Sequence, residues 1–372
     1  MGGFYNTGSK NKNFLSCPSS HLLSALAVCL SFSLLSGPAF AAALGMVTDN
    51  ESDEMRLFDA GTGEVIASLH GAPGRISGDC EMSRDESTGF SSNAGRNISV
   101  FHFSDSASGK TIDFSSIAIS NAGVDVSLSP DGKFLVSTGA GNIDEPLSII
   151  DTEGQTEVAT SALFLDHTSA EFCDDGTLLV TTTYGNSFAR PFDNAMYDAS
   201  TDSTGELRLL GNRLSSGAQP NNGSCAPGSM AGVLLDREAG LTSFTLPGLQ
   251  KVEFASLQGG AAVAAVFNRS GDRLYVRTTD TVEAFDFNPF TGAMDADWVQ
   301  PVSFSAEYFG IDQVAIDPES GNLYVDGGRK FLILDPESGR QTGSVDSGDA
   351  TGVCFAQRPP HTPVQVVAAI AP

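Results

Sequence analysis

The chain has 372 residues, and its 45 acidic residues against 20 basic ones give a formal net charge of −25. A surface of this charge repels nucleic acid and anionic lipid, which argues against a nucleic-acid-binding role. We interpret the dispersed acidic charge mainly as a source of solubility.

The first 41 residues predict a secretory signal peptide. They contain no acidic residue, two lysines, an apolar run over residues 22–35, and small residues before a cleavage point after Ala41. The run is too short for a good membrane span, and Cys29 lies in its middle, where a lipoprotein signal would place a cysteine at its end. We therefore expect an exported protein, periplasmic or extracellular, with no transmembrane segment in the mature chain.

Beyond the signal, a β-hairpin unit recurs along the chain. Apolar strands joined by a tight turn that contains Gly and Asp, Asn or Ser occur at residues 128–136, 172–180, 267–276 and 316–325. Glycine supplies positive φ in such turns, and Asp or Asn hydrogen-bonds the turn backbone. A second hairpin follows each of these units. Its turn glycines recur at intervals of 43 to 51 residues, at Gly63, Gly109, Gly154, Gly205, Gly248, Gly292 and Gly339.

Seven units of about 46 residues fill the mature chain and predict an all-β fold, a seven-bladed β-propeller. Two hairpins make a four-stranded antiparallel sheet, and radial stacking buries both faces of such sheets. Residues 44–47 match a second strand and residues 351–356 match a first strand, so the two ends should share one blade and seal the ring. A β-sandwich is the alternative, but it does not explain the period. The predicted domains are a signal peptide at 1–41, the propeller at 42–357, and a tail or linker at 358–372.

The repeat resembles the YVTN-type propellers, within the group that includes amine-dehydrogenase-like and lactonase-like propellers. The resemblance is carried by Ser-Pro-Asp-Gly at residues 129–132, Tyr-Val-Arg-Thr at 275–278, Tyr-Val-Asp-Gly at 324–327 and the Asp-x-x-x-Gly turn at 335–339. Members of this group include enzymes, binding proteins and surface proteins. The resemblance therefore implies an architecture and no single reaction.

The four cysteines after the signal are Cys80, Cys173, Cys225 and Cys354, and none lies in a Cys-x-x-Cys pair. Four cysteines in an exported protein allow three connectivities, which their spacing alone does not resolve. Each lies in or beside the first strand of a unit, and their order around a ring makes Cys80 a neighbour of Cys354, and Cys173 a neighbour of Cys225. Two disulfides between blades are one hypothesis; four buried thiols are the other.

Candidate ligand-binding residues lie on loops that enter the first strands or join the second strands to the third, where propellers often bind ligands. The most expanded unit, between Gly154 and Gly205, carries a long insertion at residues 184–193. The candidates have acidic, basic, imidazole or phenol side chains suited to acid–base work or ligand binding; they are Asp166, His167, Glu171, Tyr184, Arg190, Asp193, His70 and Arg75.

No hydrolase elbow, phosphate loop or His-Glu-x-x-His motif occurs in the chain. We therefore expect a non-catalytic binding or scaffold propeller for a protein, metal or small ligand. One alternative is a lactonase-like hydrolase or another propeller enzyme. Another is a metal-handling periplasmic protein, because acidic loops such as residues 49–54 offer oxygen ligands to a divalent metal. The sequence names no particular cofactor or partner.

Overall fold

The chain folds into antiparallel sheets joined by tight turns. The computed structural model describes residues 43–49, 53–71, 79–93, 95–107, 109–139, 146–161, 167–182, 195–198, 208–209, 220–228, 230–236, 240–246, 248–303, 313–348 and 350–356. The secondary structure of these residues consists of strands and turns, with no helix, so the predicted all-β class is confirmed. None of these described segments provides a helix that could span a membrane. The predicted signal peptide and C-terminal tail lie outside them.

Within the described residues, the strands form seven antiparallel sheets of four strands each. The first sheet has the order β28-β1-β2-β3, and the others follow chain order, from β4–β7 to β24–β27. The strands of the first four sheets are β1 (Leu44–Asp49), β2 (Glu54–Asp59), β3 (Val65–His70), β4 (Cys80–Met82), β5 (Thr88–Ser92), β6 (Asn97–Ser106), β7 (Gly109–Ala118), β8 (Gly123–Leu128), β9 (Phe134–Gly139), β10 (Leu147–Asp151), β11 (Thr156–Ser161), β12 (His167–Phe172), β13 (Thr177–Thr182), β14 (Ala195–Asp198) and β15 (Arg208–Leu209). The remaining strands are β16 (Pro220–Cys225), β17 (Ala231–Asp236), β18 (Gly240–Thr245), β19 (Gln250–Ser256), β20 (Ala262–Phe267), β21 (Arg273–Thr278), β22 (Thr281–Phe287), β23 (Met294–Pro301), β24 (Val314–Ile316), β25 (Leu323–Asp326), β26 (Lys330–Leu334), β27 (Gln341–Asp346) and β28 (Ala350–Phe355).

The turn between the first two strands of a sheet is held by its own polar side chains. Between β8 and β9, Ser129 Oγ accepts the amide hydrogen of Phe134 at 2.9 Å, and Asp131 Oδ1 accepts that of Lys133 at 3.2 Å. Gly132 completes the turn with φ of 73°, a conformation that a side chain disfavours. The turn is therefore held by hydrogen bonds within residues 129–134.

The second set of turns follows the predicted glycine period. Gly63, Gly154, Gly248, Gly292 and Gly339 each lie between the third and fourth strands of a sheet. Gly109 is the first residue of such a fourth strand, β7, and Gly205 lies outside the described residues. Four-stranded blades, the unit inferred from the sequence, are confirmed.

The first sheet combines strands from opposite ends of the described chain. β28 pairs antiparallel with β1, so that Gly45 faces Phe355 and Met46 faces Cys354. The smallest sheet is β12–β15, whose last strand contains only Arg208 and Leu209. The sheets therefore differ in size although they share one strand order.

Apolar side chains fill the space between successive sheets. Met46 and Leu57 of the first sheet pack in one buried cluster with Met82 and Phe101 of the second. Between the last sheet and the first, the Tyr324 hydroxyl donates to the carbonyl of Ala60 at 2.7 Å, inside another buried cluster. The arrangement is a β-propeller, in which each sheet covers the face of its neighbour.

Candidate active site

The first strands of the seven sheets surround a cavity of about 610 Å³. We call these strands, β4, β8, β12, β16, β20, β24 and β28, the inner strands. Each contributes residues to the lining of the cavity. Its volume falls in the range of about 300–1,000 Å³ that small-molecule pockets occupy. The cavity is therefore large enough for a small organic ligand.

The lining divides into two walls of different chemistry. We call the part formed by β4, β8, β12 and β16, with Asp79 just before β4, the polar wall. Its strands alternate polar and apolar residues, as in Asp-Val-Ser at residues 125–127 and Ser-Ala-Glu-Phe at 169–172. We call the part formed by β20, β24 and β28 the apolar wall, with Ala-Ala-Val-Phe at residues 264–267. A ligand in this cavity meets hydrogen-bonding groups on one side and hydrocarbon on the other.

Hydrogen bonds from strand to strand explain why the polar wall tolerates buried carboxyl groups. Asp79 Oδ2 accepts the amide hydrogen of Val126 at 2.8 Å, and Asp125 Oδ2 accepts that of Ala170 at 2.7 Å. Glu171 Oε1 continues the series by accepting the amide hydrogen of Cys225 at 3.3 Å. An inner strand is the edge of its sheet, and its free amides need acceptors when they are buried. The side chains of one strand supply those acceptors for the next.

Asp79 and Asp125 form a buried carboxyl pair on this wall. Their exposed fractions are 3% and 5%, and their side chains hydrogen-bond to each other. Burial raises the pKa of Asp125 above its ordinary value, because its charged form loses the solvation of water. Two neighbouring carboxyl groups that share a proton are a source of general acid and general base.

Ser169 and Asn222 lie beside the carboxyl pair. The amide hydrogen of Gly223 donates to Asn222 Oδ1 at 2.6 Å, which fixes the orientation of that side-chain amide. Ser169 Oγ donates to the same oxygen at 2.6 Å and also lies next to Asp125. Because burial raises the pKa of Asp125, a proton held by the pair is favoured over two charged carboxylates.

Acidic groups also dominate the end of the cavity where the inner strands turn outward. Asp174, Asp317 and Glu319 line that end, and Arg269 is the basic side chain among them. Over the whole described lining, seven side chains are acidic and one is basic. Arg269 already interacts with neighbours in the protein. The described part of the lining therefore carries an excess of negative charge.

Two disulfides connect inner strands beside the cavity. Cys80 is bonded to Cys354 with a Cα–Cα distance of 5.8 Å, and Cys173 to Cys225 with a distance of 5.4 Å. These are the pairs that the ring order favours, and they replace the hypothesis of four free thiols. The first joins the polar wall to the apolar wall, whereas the second lies within the polar wall.

The residues singled out from the sequence do not form one cluster in the described structure. Glu171 lines the cavity. The backbone of His167 belongs to β12, but its side chain is not among those described. His70 ends β3, the outermost strand of its sheet, with its side chain 69% exposed and Nε2 3.4 Å from Glu54 Oε1, and it does not line the cavity. The other five candidates lie outside the described residues: Asp166, Tyr184, Arg190, Asp193 and Arg75.

Sequence reasoning missed the residues that carry the chemistry of the polar wall. Asp79 lies just before β4, whereas Asp125, Ser169 and Asn222 lie on β8, β12 and β16, and the four share no local motif. The signal in the sequence was the alternation of polar and apolar residues along the inner strands of the polar wall, which the strands of the apolar wall, β20, β24 and β28, lack. Within the described part of the chain, no group of three or more His, Cys, Asp or Glu side chains could hold a metal ion.

Among known proteins, this chain is similar in fold to solved structures. No family model matches the chain, and no curated protein matches it in sequence. A protein of unknown function from Desulfotomaculum acetoxidans superposes with a TM-score of 0.74 at 16% identity, covering 85% of this chain and 99% of that one. The chain shares the fold of solved β-propellers.

Two further propellers of this fold have names that state an activity. The periplasmic gluconolactonase of Pseudomonas aeruginosa gives a TM-score of 0.67 at 17% identity, covering 85% of this chain and 99% of that one. A candidate 6-phosphogluconolactonase of Bacteroides fragilis gives 0.65 at 14% identity, covering 86% and 99%. Our expectation of a non-catalytic binding or scaffold propeller was wrong by this comparison, which favours the lactonase-like alternative. The error arose because an absent local motif says little about a site assembled from separate strands.

Proposed function

We propose that this protein is a lactone hydrolase whose active site is the central cavity. The observation that carries the proposal is the buried pair of Asp79 and Asp125 on the wall of a cavity of about 610 Å³. The lactonase names of two propellers of the same fold support it. Both walls suit a sugar-like lactone, which has hydroxyl groups along its edges and a ring face with C–H groups.

Hydrolysis of a lactone requires one group that accepts a proton and one that donates a proton. A water molecule adds its oxygen to the lactone carbonyl carbon, and the bond between that carbon and the ring oxygen breaks. One proton of the water replaces the broken bond on the ring oxygen, and the new carboxylic acid loses another at neutral pH. Asp125 in its protonated form can donate to the ring oxygen, and the Asp79 carboxylate can accept from the water. Ser169 lies next to Asp125 and donates to Asn222 Oδ1, so Asn222 positions Asp125 through Ser169.

We further propose how the scaffold supports this reaction. The seven sheets are seven blades of one closed ring of the YVTN type, sealed where β28 pairs with β1. Residues 1–41 direct export and are removed, and residues 358–372 lie beyond the ring. A periplasmic or extracellular location accords with the two disulfides and with the periplasmic gluconolactonase of the same fold.

The test is a direct assay of the exported protein. The purified chain is mixed with five- and six-membered lactones, uncharged and phosphorylated, and acid release is followed at constant pH. We expect saturable release above the uncatalysed rate on at least one lactone, with one hydroxy acid formed for each proton released. Protein purified in the same way with Asp125→Asn controls for contaminating hydrolases. Release at the uncatalysed rate on every lactone would overturn the proposal.

A further inference from the structure

The charge of the cavity narrows the substrate class. We infer that this cavity selects uncharged lactones, rejects lactones that carry a phosphate group, and favours release of the anionic hydroxy acid. The inference rests on the proposed hydrolase function for its reaction, but its binding part can be measured without turnover. The inference also distinguishes between the two activities named for propellers of this fold. The name of one, 6-phosphogluconolactonase, states a phosphorylated substrate, whereas the name of the other, gluconolactonase, does not.

The lining offers little to hold a phosphate group. With Asp125 protonated, six acidic side chains remain against Arg269. Arg269 lines the same end of the cavity as Asp174, Asp317 and Glu319, so three carboxylates accompany its one positive charge there. Phosphate sites instead gather several cationic groups or the amides of a helix N-terminus, and no helix occurs among the described residues.

The expected size of the discrimination follows from charge separation. Two unit charges 10 Å apart in water change a binding constant by about a factor of two, and salt screens this effect over about 10 Å. A phosphate group carries about two negative charges at neutral pH. If only two of the carboxylates lie within about 10 Å of the phosphate and salt screens the others, repulsion weakens binding of a phosphorylated ligand by roughly tenfold.

The same charges distinguish substrate from product. An uncharged lactone enters without repulsion, whereas its hydrolysis product is a carboxylate that forms inside an acidic cavity. Repulsion of this single charge weakens product binding by about threefold at low salt. The enzyme should therefore show weak inhibition by its product, and added salt should strengthen that inhibition.

A matched pair of glutamates tests the charge of the cavity directly. Glu319 and Glu337 lie in turns of identical sequence, Asp-Pro-Glu-Ser-Gly, within the same sheet. Both are exposed, but only Glu319 lines the cavity. Glu319→Lys thus changes the charge at the cavity, and Glu337→Lys makes the same change outside it.

The experiment measures binding of two probes that cannot be hydrolysed as lactones, gluconolactam and its 6-phosphate, by calorimetry on the full exported protein. We expect the uncharged lactam to bind about tenfold more tightly at low salt, and the ratio to shrink as salt is raised. Glu319→Lys should reduce the ratio by about threefold, whereas Glu337→Lys should leave it unchanged. Gluconate gives the corresponding measurement for the product.

Each outcome decides the inference. Three results would overturn it: the phosphorylated lactam binds as tightly as the uncharged one or more tightly, neither lactam binds, or the ratio of the two affinities changes equally in Glu319→Lys and Glu337→Lys. If the protein binds the uncharged lactam selectively but hydrolyses no lactone, the charge selectivity is supported and the proposed reaction is wrong. If it hydrolyses uncharged and phosphorylated lactones equally well, the proposed reaction is supported and the charge selectivity is wrong.

Discussion

The polar and apolar walls of the cavity come from the same repeat but are stabilised in different ways. On the polar wall, side chains such as Asp125 and Ser127 accept amide hydrogens from the next inner strand. The strands of the apolar wall instead pack aromatic rings against other strands: Phe267 of β20 against Phe287 of β22, and Phe355 of β28 against Tyr324 of β25, each pair with ring centroids 4.9 Å apart. The carboxyl groups that accept hydrogen bonds from the edge amides of the polar wall are also acid–base groups at the cavity. The packed aromatic rings of the apolar wall supply no such groups.

The largest expected effect is on activity and comes from Asp125→Asn. The amide oxygen of Asn keeps the acceptor for Ala170, but the side chain no longer supplies an acidic proton. We expect lactone hydrolysis to fall by at least about 100-fold, the usual contribution of a general acid. The wild-type rate should fall as pH rises through the raised pKa of Asp125, and the residual rate of the variant should lack that fall. A variant as active as the wild type would remove Asp125 from the mechanism.

The same substitution has a pH-dependent effect on stability. Because folding raises the pKa of Asp125 above its ordinary 3.8, the stability linked to its proton is fully present below that value. It is lost as pH rises through the raised folded pKa. Asp125→Asn removes this loss, so urea unfolding should show the variant gaining stability relative to wild type as pH rises from acid to neutral. A difference that does not change with pH would mean that Asp125 is charged in the folded protein.

The next largest effect tests the packing of the apolar wall. Phe267→Ala removes a ring that is 4% exposed and packs edge-on against Phe287. We expect it to lower the free energy of unfolding by about 3–5 kcal/mol, with no dependence on pH. Phe290→Ala is the matched control, since that ring is 72% exposed. The control should change stability by less than about 0.5 kcal/mol, and an equal loss in both variants would contradict the role of packing.

The two disulfides should contribute unequally. Cys80 and Cys354 are separated by 274 residues, whereas Cys173 and Cys225 are separated by 52. Replacing both cysteines of a pair by Ser should cost about 2–5 kcal/mol, and about 1.5 kcal/mol more for the longer loop, because it constrains the unfolded chain more. Urea unfolding of the two double variants, with the disulfide-bonded wild-type protein as the reference, measures the difference. Equal losses would show that strain or residual structure outweighs loop entropy.

The contrast between the walls also explains what the sequence could predict. Turn glycines such as Gly63 and Gly292 are local signals, and their period gave the four-stranded units. The ring order placed each pair of bonded cysteines side by side. The site was harder to find because Asp79 and Asp125 lie 46 positions apart, and each looks like a solvated acid by itself. Their burial becomes visible only when neighbouring inner strands are placed together.

The smallest effect concerns Glu171, which the sequence singled out and the structure places on the polar wall. Its Oε1 accepts hydrogens from Ser224 Oγ at 3.1 Å and from the amide of Cys225 at 3.3 Å. Glu171→Gln keeps an acceptor oxygen there, so the free energy of unfolding should change by less than about 1 kcal/mol. Glu171→Ala leaves a buried amide without its acceptor and should cost about 1–3 kcal/mol. If Gln costs as much as Ala in urea unfolding, the charge of Glu171 and not its acceptor oxygen holds β12 to β16, and the account of the polar wall must change accordingly.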